Sequence, residues 1–242
     1  MDEEKGKPLF EDVSSTKAGA ILLIVSSIIL LVVNVWHPRG AAALSGTALA
    51  EAMVASRVWA EMHLLGSFGF ALLASAAFIL MSRPGALGTG ADTRVSLSLL
   101  FVGSLVGSIG FVVDGQRAFI APAVLRGEDL ALFHALTFLW DDRGLAVHTF
   151  VILAVGGAVL ALAQLRTPTV SPRWASLVAL IGALMGAVFG LFVFGLRMFS
   201  LRILVIGGIP AFGWLILVGV LALKRSSSAT AEEHSQSTKK TT

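Results

Sequence analysis

Six stretches of this chain carry no Asp, Glu, Lys or Arg and are long enough to cross a lipid bilayer: 18–36, 62–81, 95–113, 145–165, 174–196 and 203–223. A hydrocarbon core about 30 Å thick is spanned by roughly 20 helical residues. No water is present there to satisfy backbone N–H and C=O groups, so a single chain meets them internally, as a helix. The sequence therefore predicts an all-α fold, a polytopic membrane bundle of six transmembrane helices with short outer-face helices.

Composition agrees and removes several function classes. Hydrophobic residues make up 56% of the chain and charged residues only 14%, a balance foreign to soluble domains. Cysteine is absent, which excludes disulfides, thiolate metal sites and cysteine nucleophiles. Tyrosine is absent too, which excludes tyrosyl redox and phenol acid chemistry. The net charge of +3 is spread thinly, so no nucleic-acid partner is expected. The first apolar run precedes Ala41-Ala42-Ala43, as a signal peptide would. However, it exceeds the usual core of about 7–15 residues, and the segment before it is rich in acids.

Residues 1–17 read as a polar lead, 18–225 as the transmembrane domain, and 226–242, rich in Ser, Thr, Glu and Lys, as a disordered tail. Alternating the loops places all six lysines on one side. That side also holds the short connections 82–94 and 166–173. The positive-inside rule makes it cytoplasmic, with both termini there, in the cell membrane. On the other side the connections 37–61 and 114–144 are long, and each holds a helix-like stretch, 47–59 and 128–141. Glu128 and Asp129 follow Gly127 as acids expected in a first helical turn.

In the third run Gly103, Gly107, Gly110 and Asp114 fall on one helical stripe. Small residues at that spacing let membrane helices approach closely, so the stripe should face the bundle. Gly182, Gly186 and Gly190 repeat the device in the fifth run. Pro210, in the sixth, is expected to kink or unwind its helix.

The scarce ionisable groups gather at the outer helix ends. His37, His63, Asp114 and His148 come from four different helices at similar depth. Charges at membrane depth are functional candidates by default. Imidazole and carboxylate suit zinc, iron or copper, so these four are the candidate ligands of a divalent metal. The structural alternative is that they are interfacial: Asp114 has Arg117 one turn later, and His63 has Trp59 one turn earlier. A bis-imidazole haem on His63 and His148 is disfavoured, since haem sits deeper. His134, Asp141 and His148 share a helix face, but His134 and His148 would lie about 21 Å apart along the axis at ~1.5 Å per residue. His134 is then a surface residue. Glu61 points about 200° away from His63 at ~100° per residue. Arg197 and Arg202 bracket the last outer turn and suit headgroup anchoring.

Three short motifs stand in order: His37-Pro38, Trp59-x-x-x-His63, and Val113-Asp114-Gly115. In these the chain, over 20–145, resembles a group of small bacterial integral membrane proteins of unknown function. The resemblance implies no activity or cofactor, but it treats His37, His63 and Asp114 as one set. Phosphate-loop, nucleophile-elbow, HExxH and dinucleotide signatures are missing, so enzymatic activity is left open. Three functions follow. The first is an outward-facing His/Asp site for a metal ion or small polar ligand. The second is a structural or accessory subunit with a membrane-protein or homo-oligomeric partner. The third is a small transporter, against which the charge-free helix interiors weigh.

Overall fold

The computed structural model describes residues 13–36, 44–56, 58–83, 85–142, 145–190 and 201–240. Among these every regular element is helical. In chain order they are α1 (Val13–Trp36), α2 (Gly46–Ala55), α3 (Trp59–Met81), α4 (Ala91–Leu125), α5 (Leu130–Thr137), a π turn (Phe138–Asp142), α6 (Leu145–Arg166), α7 (Arg173–Gly190) and α8 (Leu201–Lys240).

Five of the helices, α1, α3, α4, α6 and α8, are long and apolar enough to cross a membrane. The chain is therefore a multi-pass membrane protein. The fifth apolar run, 174–196, is described only as far as α7 extends, to Gly190. Large apolar side chains such as Ile21, Phe68, Ile109 and Ile181 remain exposed on these helices. A helix apolar on all sides requires protein on one face and lipid on the other.

The long helices pack in chain order as a ring: α1 against α3, α3 against α4, α4 against α6, α6 against α7, α7 against α8, and α8 back against α1. One continuous core runs through it, including Leu30, Phe70, Leu73, Leu100, Leu160, Trp214 and Val218. Small residues set the spacing, as the stripe on α4 predicted. A Cβ added at Gly103 would stand 3.0 Å from Leu153, and one at Gly107 would stand 3.0 Å from Thr149, both on α6. Gly110 lies under the indole of Trp140, in the π turn, with no room for a Cβ. Gly186 of α7 faces Ala154 of α6.

At 35 residues and ~1.5 Å per residue, α4 is about 52 Å long, well beyond the bilayer core. Its far end carries a cap. There α2 and α5 pack onto it through Leu49, Ala50, Met53, Phe133, Ala121 and Val124. The chain reverses from α4 into α5 through Gly127, whose φ is +85°. The amide of Gly127 donates to the carbonyl of Val124, and that of Glu128 donates to Ala123. This pairing closes a helix with a left-handed glycine. Glu128 and Asp129 thus form the turn rather than the first turn of a helix, and α5 begins after them. Likewise the stretch 47–59 is not one helix: α2 ends at Ala55, with Ser56 extended, and α3 opens at Trp59.

The opposite end is closed by Gln164 of α6. Its side-chain oxygen accepts the amides of Thr169, Val170 and Ser171 at 3.2, 3.0 and 3.2 Å. Its amide nitrogen donates to the carbonyl of Leu87 at 2.7 Å. From α8, Trp214 donates to the Ser171 hydroxyl and Arg225 to the Thr169 carbonyl. Of the two outcomes expected at Pro210, unwinding is not seen: α8 stays helical across it. The tail from Ser226, expected to be disordered, continues as helix to Lys240. Hydroxyls of Ser226, Ser227 and Ser228 bond to carbonyls three or four residues back, satisfying in place the groups expected to compete with the helix.

Candidate functional site

The ionisable residues at the junction of bundle and cap form one buried network. α3 starts at Trp59, and His63 follows one turn later on its buried face. The ring Nδ1 of His63 lies 2.7 Å from the carbonyl oxygen of Trp59. Across the helix interface its Nε2 lies 2.5 Å from Oδ2 of Asp114 on α4. Gly115, next to Asp114, permits this approach: a Cβ there would stand 3.3 Å from that of His63.

The second oxygen of Asp114 accepts from Arg117, one turn along α4, through both Nε (2.8 Å) and Nη2. Two donors of one guanidinium on one carboxylate make a strong, directional pair. Arg117 reaches on to the cap, its Nη1 donating to the Thr137 hydroxyl of α5 at 3.3 Å. Thr137 in turn donates to the carbonyl of Phe133 at 2.8 Å. Hydrogen bonds thus run without a break from α3 through α4 to α5.

Water is kept from this network. The side chains of His63, Asp114 and Arg117 are 0%, 4% and 3% exposed, which leaves charge compensation to the protein. The imidazole has two aromatic rings against it. Trp59 stacks on it at 5.0 Å and 16°, and Phe111 lies at 5.3 Å, tilted by 34°. Phe111 also meets Phe70 and Trp140 edge-on.

Of the four candidate ligands, His63 and Asp114 are in contact. His148 is exposed on α6; its neighbour Thr149 is the residue turned inward, against Gly107. His37 lies outside the described residues. Among the described residues, no group of three His, Cys, Asp or Glu side chains is disposed to hold a metal ion. His134 and Glu61 are exposed, as their spacings predicted. Asp141 falls in the π turn. Arg197 lies outside the described residues, and Arg202 falls within α8.

The sequence pointed to the Asp114–Arg117 pair only as an alternative to a site; in the structure it coexists with the His63 contact. Thr137 carried no local signal, because its role depends on α5 folding back along α4. The motif residues Trp59, His63, Asp114 and Gly115 meet in this one place. No family model, curated protein or solved structure matches the chain.

Proposed function

We propose that the chain is a six-span protein of the cell membrane with both termini cytoplasmic. In this reading it is a structural or accessory component of a membrane assembly and presents a rigid outer cap. The single observation behind the reading is that His63, Asp114 and Arg117 are engaged by the protein itself and tie α3 and α4 to α5. A buried network built on an ion pair is weak evidence for stability, because apolar residues of similar volume often serve as well. Its better-attested use is to fix one arrangement among several. Here that arrangement is the position of the cap. The crossing that brings the five to six is 174–196, of which α7 supplies the described part. An even number of crossings agrees with the lysine bias that puts both termini on one side. The resemblance to small bacterial membrane proteins belongs to the same proposal, since its motif residues Trp59, His63, Asp114 and Gly115 meet at the network.

Purification in a mild detergent tests this reading. A stoichiometric partner or a defined homo-oligomer is expected, and Arg117→Met should loosen it. A lone monomer, indifferent to that substitution, would contradict the proposal.

One observation favours a second reading, a site for a metal ion or small polar ligand. An imidazole and a carboxylate touch at a depth where charges are rarely placed without use. Elemental analysis and an absorption spectrum of the purified protein decide it. Identical metal content and ligand binding in the wild-type chain and in His63→Ala and Asp114→Asn would remove this reading.

A further inference from the structure

We propose that Arg83, beside Ser15, binds the phosphate group of a net-negative phospholipid at the end of the bundle away from the cap. The inference goes beyond the reading of the cap and uses none of its residues. Arg83 lies just past Met81, the last residue of the span formed by α3. Ser15 opens the neighbouring span, formed by α1. The two helices pack closely there: a Cβ added at Gly19 of α1 would stand 3.0 Å from Leu80 of α3. Arg83 and Ser15 therefore sit where two adjacent helices leave the hydrocarbon core, at the level of the lipid headgroups.

The guanidinium of Arg83 is a fixed charge, because it keeps its proton in proteins. The residue is only partly exposed, and its Nε is shielded from water with no hydrogen-bond partner among the described residues. Its Nη2 donates to the Ser15 hydroxyl at 3.0 Å, a neutral group that leaves the charge unanswered. Asp92, the first acid after it in the chain, pairs instead with Arg166. Among the described residues no carboxylate pairs with Arg83. A charge drawn out of water without a counter-ion is costly, so an anion from outside the chain suits this place. The guanidinium presents paired N–H donors that match the oxygens of a phosphate. Anionic lipids supply phosphates at this level and attract basic side chains there. Other basic residues at this end are differently placed: Arg225 donates to the Thr169 carbonyl, and Arg173 is exposed.

Thermal unfolding of the full chain, purified in detergent and stripped of lipid, tests the site. Added phosphatidylglycerol should raise the midpoint with the logarithm of its concentration, as a ligand of the folded state does. Phosphatidylcholine with the same acyl chains should raise it less. Arg83→Gln should lose the difference between the two lipids, whereas Arg173→Gln, which removes an exposed charge at the same end, should keep it. Equal loss in both variants would mean a diffuse attraction to basic residues and overturn the inference. So would a difference that survives Arg83→Gln. Inorganic phosphate separates the two sources of the anion: a shift matching that of phosphatidylglycerol would assign the site to soluble phosphate and overturn the lipid. Should Arg83→Gln fail to fold, Arg83→Lys keeps the charge and loses the fork. It should respond to phosphatidylglycerol less than the wild-type chain, and an undiminished response would contradict the site. None of these outcomes touches the link between His63, Asp114 and Arg117, so the cap reading stands or falls separately.

Discussion

Asp114 is the residue on which the site turns, because it is the one anion between two buried donors. Replacing it with asparagine keeps the shape and removes the charge, leaving the buried Arg117 guanidinium uncompensated. Breaking a buried ionic group by deleting one partner costs about 3–5 kcal/mol, so Asp114→Asn should lower the thermal midpoint of the purified protein markedly. A loss below about 1 kcal/mol, the range of exposed pairs, would mean that water reaches the network. Gly110 answers for packing rather than charge. A methyl group there would meet the Trp140 indole, and overpacking costs about 1–3 kcal/mol. Gly110→Ala should therefore destabilise the wild-type chain but be tolerated in Trp140→Ala, as paired thermal unfolding would show. Much of this was legible in the sequence. His63 and Asp114 stand out because ionisable residues are scarce, and Arg117 stands one turn from Asp114. The rings around His63 were less legible: Trp59 signalled itself by spacing, whereas Phe111 is one of 15 phenylalanines and only the crossing of α3 and α4 singles it out.

At the scale of elements, the two ends of the bundle are closed by different chemistry. The cap end uses charge, and the opposite end uses the neutral amide of Gln164. Gln164→Leu would leave three amides and the Leu87 carbonyl without that partner. A buried polar group left unsatisfied costs about 1–3 kcal/mol. Hydrogen exchange should accelerate first at 167–172 and 85–90, with α2 and α5 unaffected. Acceleration spread evenly over the bundle would show that Gln164 does not act locally. The helices themselves were legible from apolar run length, and the close-packed face of α4 from its glycines. Element ends were not, and the reasons are local. Acids at 128 and 129 suggest a helix start, but Gly127 draws the Glu128 amide back to Ala123. The serines after Lys224 suggest disorder, but their hydroxyls fold onto the helix. Nothing along the sequence announced that Gln164 would gather two loops, because most of its partners are backbone groups.

For the whole molecule, the absence of cysteine makes single introduced cysteines clean reporters of sidedness. With a membrane-impermeant maleimide on intact cells, a cysteine at Glu128 should react, and cysteines at Thr167 and Ser227 should react only after permeabilisation. Labelling of Thr167 from outside would invert the orientation; opposite behaviour of Thr167 and Ser227 would break the count of six crossings. The network, not the topology alone, joins cap to bundle, and a double-mutant cycle on global unfolding reads that link directly. His63→Ala, Asp114→Asn and the double variant should deviate from additivity by about 2–3 kcal/mol, the upper range for residues in one charged network. Additivity within about 0.5 kcal/mol, as for residues that do not touch, would contradict the direct link between His63 and Asp114.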